Sequence, residues 1–304
     1  MRRGVLWGLL LLLGIGLHVG LRAPVTPPPA VAPLLWPQLA GHPAQVQSIR
    51  LRRGELPVVE LLRTSAGWVV APGGYPARGA QVEALLAALG QARLQERRTA
   101  QAINHARLGL AAAGDGAGLR VTLTPGDGRT LLIGDLSARG GQLVRWLDED
   151  QVWLADRSLQ VPVSDLAWLD RRILNLAPEQ IRRIELQSGQ RVPQVLERAS
   201  AQAELQAPGL DAAAANAIGG LLATLEAVDV LPLAQLEFSG RPVLQLRIED
   251  FDGGWLQAAL YRRGDGVWLV PGNAHGLQGA LHWQAGWALR IDAQQYALLA
   301  AAGG

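Results

Sequence analysis

Two periodicities of apolar residues follow one another along the chain and predict its secondary structure. Short apolar runs bounded by turn residues, the pattern typical of β-strands, occur at 49–51, 58–62, 68–70, 121–124, 131–133, 144–147 and 152–154. Between the third and fourth runs, apolar residues recur with the i, i+3, i+4, i+7 spacing of one helix face, at Val82, Leu85, Leu86 and Leu89. The order of strands, helix and strands predicts an α+β fold with mainly antiparallel sheets.

The same pattern occurs a second time along the chain. Pro43–Leu51 resembles Pro178–Leu186 at a shift of 135. At a shift of 136, the four helix-face residues correspond to Ile218, Leu221, Leu222 and Leu225. Internal similarity at a fixed spacing indicates repeated structural units. We therefore predict two tandem related units, residues 46–180 and 181–304, each with mainly antiparallel strands and one long amphipathic helix.

Farther along, the similarity continues at a shorter shift. Leu131 and Val152–Leu154 correspond to Leu246 and Val267–Leu269 at a shift of 115. The shift drops from 136 to 115. The second unit is therefore predicted to lack a segment as long as the difference between the two shifts, which the first unit has between Leu94 and Leu119. The pattern leaves open whether the units share one continuous sheet, and we expect two packed domains.

The N-terminal segment predicts a membrane anchor. Gly4–Leu21 is apolar except for His18 and follows Arg2-Arg3. As a helix it would span roughly 27 Å, close to the thickness of a bilayer core, and the leading arginines favour a cytoplasmic N-terminus. We expect residues 1–22 to form a retained transmembrane helix that contacts inner-membrane lipid through residues 4–21, with the bulk of the chain in the periplasm. A cleaved signal peptide is the alternative.

A proline-rich segment follows the predicted anchor. Seven of the 18 prolines lie between Pro24 and Pro43. Proline favours the extended polyproline II conformation and is excluded from helix interiors. We therefore predict a semi-rigid stalk over residues 23–45, and a disordered tether is the alternative.

Composition excludes several classes of function. All 28 cationic side chains are arginine, and the chain has no lysine and no cysteine. Schiff-base catalysis, thiol catalysis, thiolate metal sites and disulfides are therefore excluded. Residues 23–304 carry 25 arginines and 26 acids. A folded part without net positive charge lacks the electrostatic footprint of nucleic-acid binding, so we expect no nucleic-acid partner.

Candidate catalytic and binding residues are few. A serine triad or a zinc site would have to use His105, His275 or His282, and no nucleophile motif or third metal ligand accompanies them. We expect no catalytic residues, no metal and no cofactor. Four tryptophans recur at corresponding positions of the two units and are expected in the core: Trp153, Trp168, Trp268 and Trp283. Trp255 and Trp287 have no such counterpart, which makes them the candidate ligand-binding residues.

Several short motifs together resemble a known family. They are Gly67-Trp68, Leu108-Gly109-Leu110, Leu132-Ile133-Gly134, Val152-Trp153-Leu154 and Trp168-Leu169-Asp170-Arg171-Arg172. Over roughly residues 46–300 the chain resembles a bacterial domain-of-unknown-function family of single-pass membrane proteins. A similar domain occurs in auxiliary subunits of gliding-motility-type ABC transporters. The resemblance implies a setting at the cytoplasmic membrane and, as partner, a transporter or another envelope protein.

These observations predict a function without an enzymatic reaction. We expect a membrane-anchored envelope protein that serves as an accessory or scaffold module for a transporter or another envelope complex. One alternative is a periplasmic glycan- or lipid-binding module that uses Trp255 and Trp287. Another alternative is a hydrolase of an unrecognised type.

Overall fold

The computed structural model describes residues 31–138, 140–280 and 286–303. None of the helices within these ranges has the length and the apolar character needed to cross a bilayer. The predicted anchor at residues 4–21 lies outside the described residues, so the anchor stays a prediction.

The described residues form two antiparallel sheets and a few helices, which confirms the predicted α+β class. The first sheet contains β1 (Ser48–Arg53), β2 (Val59–Thr64), β3 (Gly67–Ala71), β4 (Tyr75–Pro76), β5 (Leu94–Arg97), β6 (Leu119–Thr124), β7 (Thr130–Leu136), β8 (Gln142–Trp146) and β9 (Trp153–Ala155). The second contains β10 (Ile181–Gln187), β11 (Gln194–Glu197), β12 (Asp229–Pro232), β13 (Leu244–Asp250), β14 (Trp255–Arg263), β15 (Gly266–His275) and β16 (Trp287–Ile291). The α-helices are α1 (Pro37–Gly41), α2 (Gly79–Gln91), α3 (Asp165–Trp168), α4 (Ala212–Ala223) and α5 (Ala293–Ala302).

The two sheets have the same strand order over seven strands. The first is ordered β4-β3-β2-β1-β6-β7-β8-β9-β5, and the second β11-β10-β13-β14-β15-β16-β12. Leaving out β4 and β3 makes the orders equivalent, with β1 in the place of β10 and β6 in the place of β13. The registers also agree, because Ile49 pairs with Leu123 as Ile184 pairs with Ile248. The sheets therefore share one topology across these strands.

The strand order shows that the predicted alignment of the later strands of the two units was wrong. The shift of 115 matched Leu131 of β7 with Leu246 of β13, whereas the sheets place β6 in the position of β13. Apolar residues alternate with polar ones in several strands, including β1, β6 and β13, so similarity within one strand does not identify its position in the sheet. The connection from β5 to β6 spans 98–118, and that from β12 to β13 spans 233–243. The second connection is thus shorter than the first by only about half of the predicted difference.

Buried apolar side chains from both sheets form one continuous core cluster. The four residues predicted for the face of α2 are each at most 6% exposed: Val82, Leu85, Leu86 and Leu89. In the second unit, Ile218 and Leu222 of α4 are buried in the same way, while Leu225 is buried just beyond the end of the helix. The apolar stripes of both helices therefore face the shared core.

Two of the four tryptophans predicted for the core are buried, namely Trp168 and Trp268. Trp153 is half-buried, and the guanidinium of Arg97 lies 5.3 Å from its ring centroid. Trp283 lies outside the described residues.

Part of the predicted stalk packs onto the first unit. Leu35, Trp36 and Leu39 are each at most 4% exposed, and the Leu35 N–H donates to the Ala92 carbonyl over 2.7 Å. Residues 35–39 therefore depart from the extended stalk predicted over residues 23–45, of which residues 23–30 lie outside the described ranges. Burial of three large apolar side chains outweighs the preference of the neighbouring prolines for extended chain.

One segment, residues 168–176, begins at the last residue of α3 and joins the two units, and we call it the seam segment. On one side it pairs with residues 76–78, which begin at the last residue of β4, and on the other with residues 223–227, which begin at the last residue of α4. Five backbone N–H to carbonyl bonds of 2.7–2.9 Å hold it: Arg78 to Trp168, Asp170 to Pro76, Ala227 to Arg171, Ile173 to Leu225 and Leu176 to Ala223. Backbone pairing on both sides fixes the seam segment between the units.

Candidate functional site

An open cleft lies on the outer face of the first sheet. In β1, Ile49 and Leu51 point into the core, so the alternation of the strand directs Arg50 and Arg52 outward. The cleft has a volume of about 210 Å³ and is lined by Arg50, Arg52, Val58, Arg120, Thr122 and Thr130. We call it the first cleft.

The first cleft is cationic. Arg52 pairs directly opposite Arg120 in the register of β1 and β6, and none of the lining residues is acidic. Two acids lie beside it: Glu60 contacts Arg50 at 3.1 Å, and Glu55, 88% exposed, lies 3.8 Å from Arg52. Exposed ion pairs of this kind contribute little, so three arginines share the cleft with only weak compensation.

A second cleft lies at the equivalent positions of the second sheet. It has a volume of about 400 Å³, and its lining includes Glu185, Gln187, Pro193, Gln245, Arg247 and Gln257. Glu185 pairs with Arg247 and Gln187 with Gln245 across β10 and β13, as Arg50 pairs with Thr122 and Arg52 with Arg120 across β1 and β6. Gln257 pairs with Arg247 as Thr130 pairs with Thr122. Val58 precedes β2 as Pro193 precedes β11, so the six positions match one by one.

Neighbouring groups compensate both charges of the second cleft. Arg247 donates to Glu249 over 2.7 Å, and this hydrogen bond, opposed by partial burial, lowers the pKa of Glu249. Glu185 accepts a hydrogen bond of 2.9 Å from Arg183, which raises the pKa of Arg183. The second cleft therefore differs from the first in having no excess of cations and three neutral amides, those of Gln187, Gln245 and Gln257.

The structure separates the two predicted ligand-binding tryptophans. Trp255 lies on the outer side of β14 next to the second cleft, where the guanidinium of Arg247 is 4.4 Å from its ring centroid. Trp287, at the start of β16, packs against the main core on the opposite side of the sheet. The two rings therefore do not form one shared surface.

Trp287 belongs to the contact between the units. Its ring meets that of Tyr75 edge to face, with centroids 5.0 Å apart, and a Cβ added at Gly73 would lie 2.7 Å from the indole. Burial, followed by the charge of Asp170, raises the pKa of Tyr75. Asp170 is 4% exposed and pairs with Arg172 at 2.6 Å. Aromatic packing and a buried carboxylate thus occupy this junction.

Residues 98–118 cover a further part of the first sheet's outer face. Leu110 packs on Leu132 and Val152 in a small buried cluster. The Arg145 guanidinium, 5% exposed, donates to the carbonyls of Leu110, Trp146, Leu147 and Glu149. In the second sheet the position of Leu132 holds Ala259, which lines the open second cleft. The shorter connection of residues 233–243 packs Leu236 on Trp268 and Ala288 instead, and it leaves the position of Ala259 open to the cleft.

The candidate histidines lie apart. His105 is 5% exposed, and its Nε2 lies 2.9 Å from the Asp150 carbonyl oxygen. His275 is exposed at the end of β15 in the other sheet, and His282 is outside the described residues. The part of the chain that the structure describes contains no group of three or more histidine or acidic side chains arranged to hold a metal.

Sequence reasoning did not identify the clefts. The alternation in β1 was visible, and it could have shown that Arg50 and Arg52 share a face. Arg120 lies far beyond Arg52 along the chain, and only the pairing of β1 with β6 brings it opposite. Long-range strand pairing was therefore the missing information.

Comparison with known proteins gives one match. The model of a family described as a domain of unknown function, DUF4340, matches residues 68–242. The match is shorter than the predicted resemblance over 46–300, and it contains α2, the seam segment and α4. No curated protein and no solved structure matches the chain.

Proposed function

The chain belongs to the DUF4340 family of unknown function, and we propose that it is a non-enzymatic, membrane-anchored envelope protein. In this proposal residues 4–21 cross the bacterial cytoplasmic membrane once, with the N-terminus inside and the bulk in the periplasm. The folded part acts as an accessory or scaffold module that contacts a transporter or another envelope complex.

The pair of matched open clefts carries this proposal. Both lie on the outer faces of sheets whose inner faces share one core. Catalysis usually needs a site that excludes water, whereas shallow surfaces on a rigid scaffold suit recognition. The apolar segment at residues 4–21 and the motif resemblance supply the membrane and transporter parts of the proposal.

The alternatives receive less support from the contacts. A glycan- or lipid-binding module built on bare indole surfaces would need open rings, but the half-buried Trp287 packs against the core and Trp255 lies beneath Arg247. A hydrolase would need a histidine beside a hydroxyl and an acid. The buried ring of His105 is engaged by the carbonyl of Asp150, and His275 lies on the other sheet.

We also infer that the two units are copies of one ancestral domain. The shared order of seven strands and the matching register of β1 and β6 with β10 and β13 support this view. Helix α2 precedes β5, and helix α4 precedes β12, so in each unit the helix leads into the last strand of the shared order. Under this inference the clefts are homologous surfaces that have diverged in charge.

Photocrosslinking in cells tests the accessory role. A benzoylphenylalanine in place of Gln257 reports on the second cleft, and the same residue in place of the exposed Gln235 serves as the matched control. We expect the Gln257 probe to give an adduct with one envelope protein, identified by mass spectrometry, and the Gln235 probe to give none. Recovery of only uncrosslinked chain from both probes would overturn the accessory role.

Fractionation tests the anchor separately. The full chain should remain in the membrane after an alkaline carbonate wash. A variant whose residues 1–22 are replaced by a cleavable signal peptide should appear in the periplasmic fraction. Release of the unaltered chain by the wash would contradict a transmembrane anchor while leaving the crosslinking result valid.

A further inference from the structure

We propose that the first cleft binds a phosphate-type oxyanion, carried by free phosphate or by a phospholipid headgroup, between Arg50, Arg52 and Arg120. The inference does not depend on the accessory role. It starts from the charge arrangement in the two clefts.

The first cleft contains a pair of like charges. Arg52 and Arg120 are direct cross-strand partners, and like charges at opposed positions destabilise a sheet. Arg50 adds a third cation on the same face, one side-chain repeat along β1. An anion bound between the guanidinium groups would convert this repulsion into attraction.

The first cleft also offers hydrogen-bond donors to an oxyanion. Guanidinium groups present paired N–H donors that match the oxygens of phosphate. The hydroxyls of Thr122 and Thr130 lie 3.1 Å apart. One of these hydroxyls donates to the other. The accepting hydroxyl keeps its own hydrogen, which is available to donate to a ligand.

Few protein groups compete with an anion for the three arginines. Glu60 contacts Arg50, and the exposed Glu55 lies 3.8 Å from Arg52. Arg120 donates to the carbonyl of Ala112, a neutral acceptor that leaves its charge uncompensated. The volume of about 210 Å³ admits a phosphate group but is small for a nucleotide.

The second cleft provides an internal comparison. The positions of Arg52 and Arg120 hold Gln187 and Gln245, which are polar and neutral. The backbone frame is equivalent, so the charge difference is confined to side chains. The first cleft therefore has the chemistry for an oxyanion, and the second does not.

The test uses the purified full chain in nonionic detergent. Thermal unfolding is followed with inorganic phosphate against sodium chloride of equal ionic strength. In a separate arm, the micelles contain phosphatidylglycerol or phosphatidylcholine. We expect saturating phosphate or phosphatidylglycerol to raise Tm by about 2–4 °C. A response to phosphate identifies the free ion as sufficient, and a response to phosphatidylglycerol alone identifies the headgroup.

Variants connect the response to the cleft. The double variant Arg52→Gln with Arg120→Gln installs the residue type of the second cleft. It should unfold at a higher temperature than the unaltered chain without anion, since repulsion is removed, and its anion affinity should fall at least fivefold. The neighbouring Arg53→Gln is the matched control, because Arg53 lies outside the first cleft and lines a different one.

A gain-of-function variant completes the experiment. Gln187→Arg with Gln245→Arg should give the second cleft an anion response in a chain that also carries the double variant of the first cleft. The proposal is overturned if neither phosphate nor phosphatidylglycerol shifts Tm. It is also overturned if anion raises the Tm of the double variant as much as it raises the Tm of Arg53→Gln and of the unaltered chain.

Discussion

Replacement of the buried Arg145 by methionine should release residues 98–118 from the first sheet. Methionine keeps most of the apolar stem but removes the guanidinium. Arg145 donates hydrogen bonds of 2.9–3.3 Å to four backbone carbonyls, those of Leu110, Trp146, Leu147 and Glu149. Burial lowers the pKa of Arg145, and the charge of Asp150 opposes that effect, but an arginine stays protonated at neutral pH.

The magnitude follows from the groups left without a donor. A hydrogen bond to a charged group contributes about 1.5–3 kcal/mol, and a buried polar group without a partner costs about 1–3 kcal/mol. The carbonyls near the protein surface regain water once the connection loosens, so the losses do not add fully. We expect Arg145→Met to lower the free energy of unfolding by about 3–5 kcal/mol.

Urea unfolding at 25 °C measures the total loss, and amide hydrogen exchange locates it. Faster exchange should be confined to residues 98–118 and to the adjoining part of β8. Arg107→Met is the control, because Arg107 lies in the same connection but makes only an exposed hydrogen bond to Asn104 in the described contacts, and its effect should stay within about 0.5 kcal/mol. A loss below about 1 kcal/mol for Arg145→Met, or unchanged exchange over 98–118, would refute the reasoning.

Three further predictions concern the core, a helix cap and pH. Leu86→Ala removes a fully buried side chain of α2 and should lower the free energy of unfolding by about 2–5 kcal/mol in urea titration; a smaller loss would mean that the site collapses around the cavity. Asp211→Ala removes the cap that accepts from the Ala214 N–H over 2.6 Å and should cost about 1 kcal/mol, whereas Asp211→Asn should cost less. The hydrogen bond from Arg247 lowers the pKa of Glu249, so its contribution is present above the unfolded pKa, about 4.3, and is lost as pH falls through the lower folded pKa. Comparison of Glu249→Gln with the unaltered chain between pH 7 and pH 3 should therefore show a weaker pH dependence of stability in the variant, and parallel curves would contradict the assignment.

Local patterns predicted seven of the nine strands of the first sheet and its long helix, α2. The seven apolar runs lie in β1, β2, β3, β6, β7, β8 and β9. The helix face predicted from Val82, Leu85, Leu86 and Leu89 is buried in α2. These predictions succeed because each element buries one side, and burial imposes a period of 2 or 3.6 on the sequence.

The order of strands required more than local patterns. Strand β5 pairs with β9 although three other strands of the same sheet lie between them in the chain, and nothing in the short run Leu94–Arg97 identifies that partner. The alignment at a shift of 115 failed for the same reason, since one alternating strand resembles another. The charge of the first cleft depends on such a pairing, which explains why arginines that look solvated in the sequence converge in the fold.

Helix α1 was missed because two preferences compete over the same residues. Proline favours extended chain, and prolines at 33 and 37 supported the stalk. Proline is also well tolerated in the first turn of a helix, where Pro37 lies. The burial of Trp36, 1% exposed, decides the outcome, and its packing surface is not visible in the local sequence.

The seam segment has a consequence for cooperativity. A fragment ending at residue 180 would expose Ile173 and Leu174, which are each 1% exposed in the whole chain, and would leave the seam without its acceptors at Leu225 and Ala223. A fragment beginning at 181 would lack the strand that covers residues 223–227. Each half alone would therefore leave part of its apolar surface and backbone uncovered. We expect the two sheets to melt in one calorimetric transition, as a single foldon, so that a repeated topology does not make the present halves stable as separate fragments.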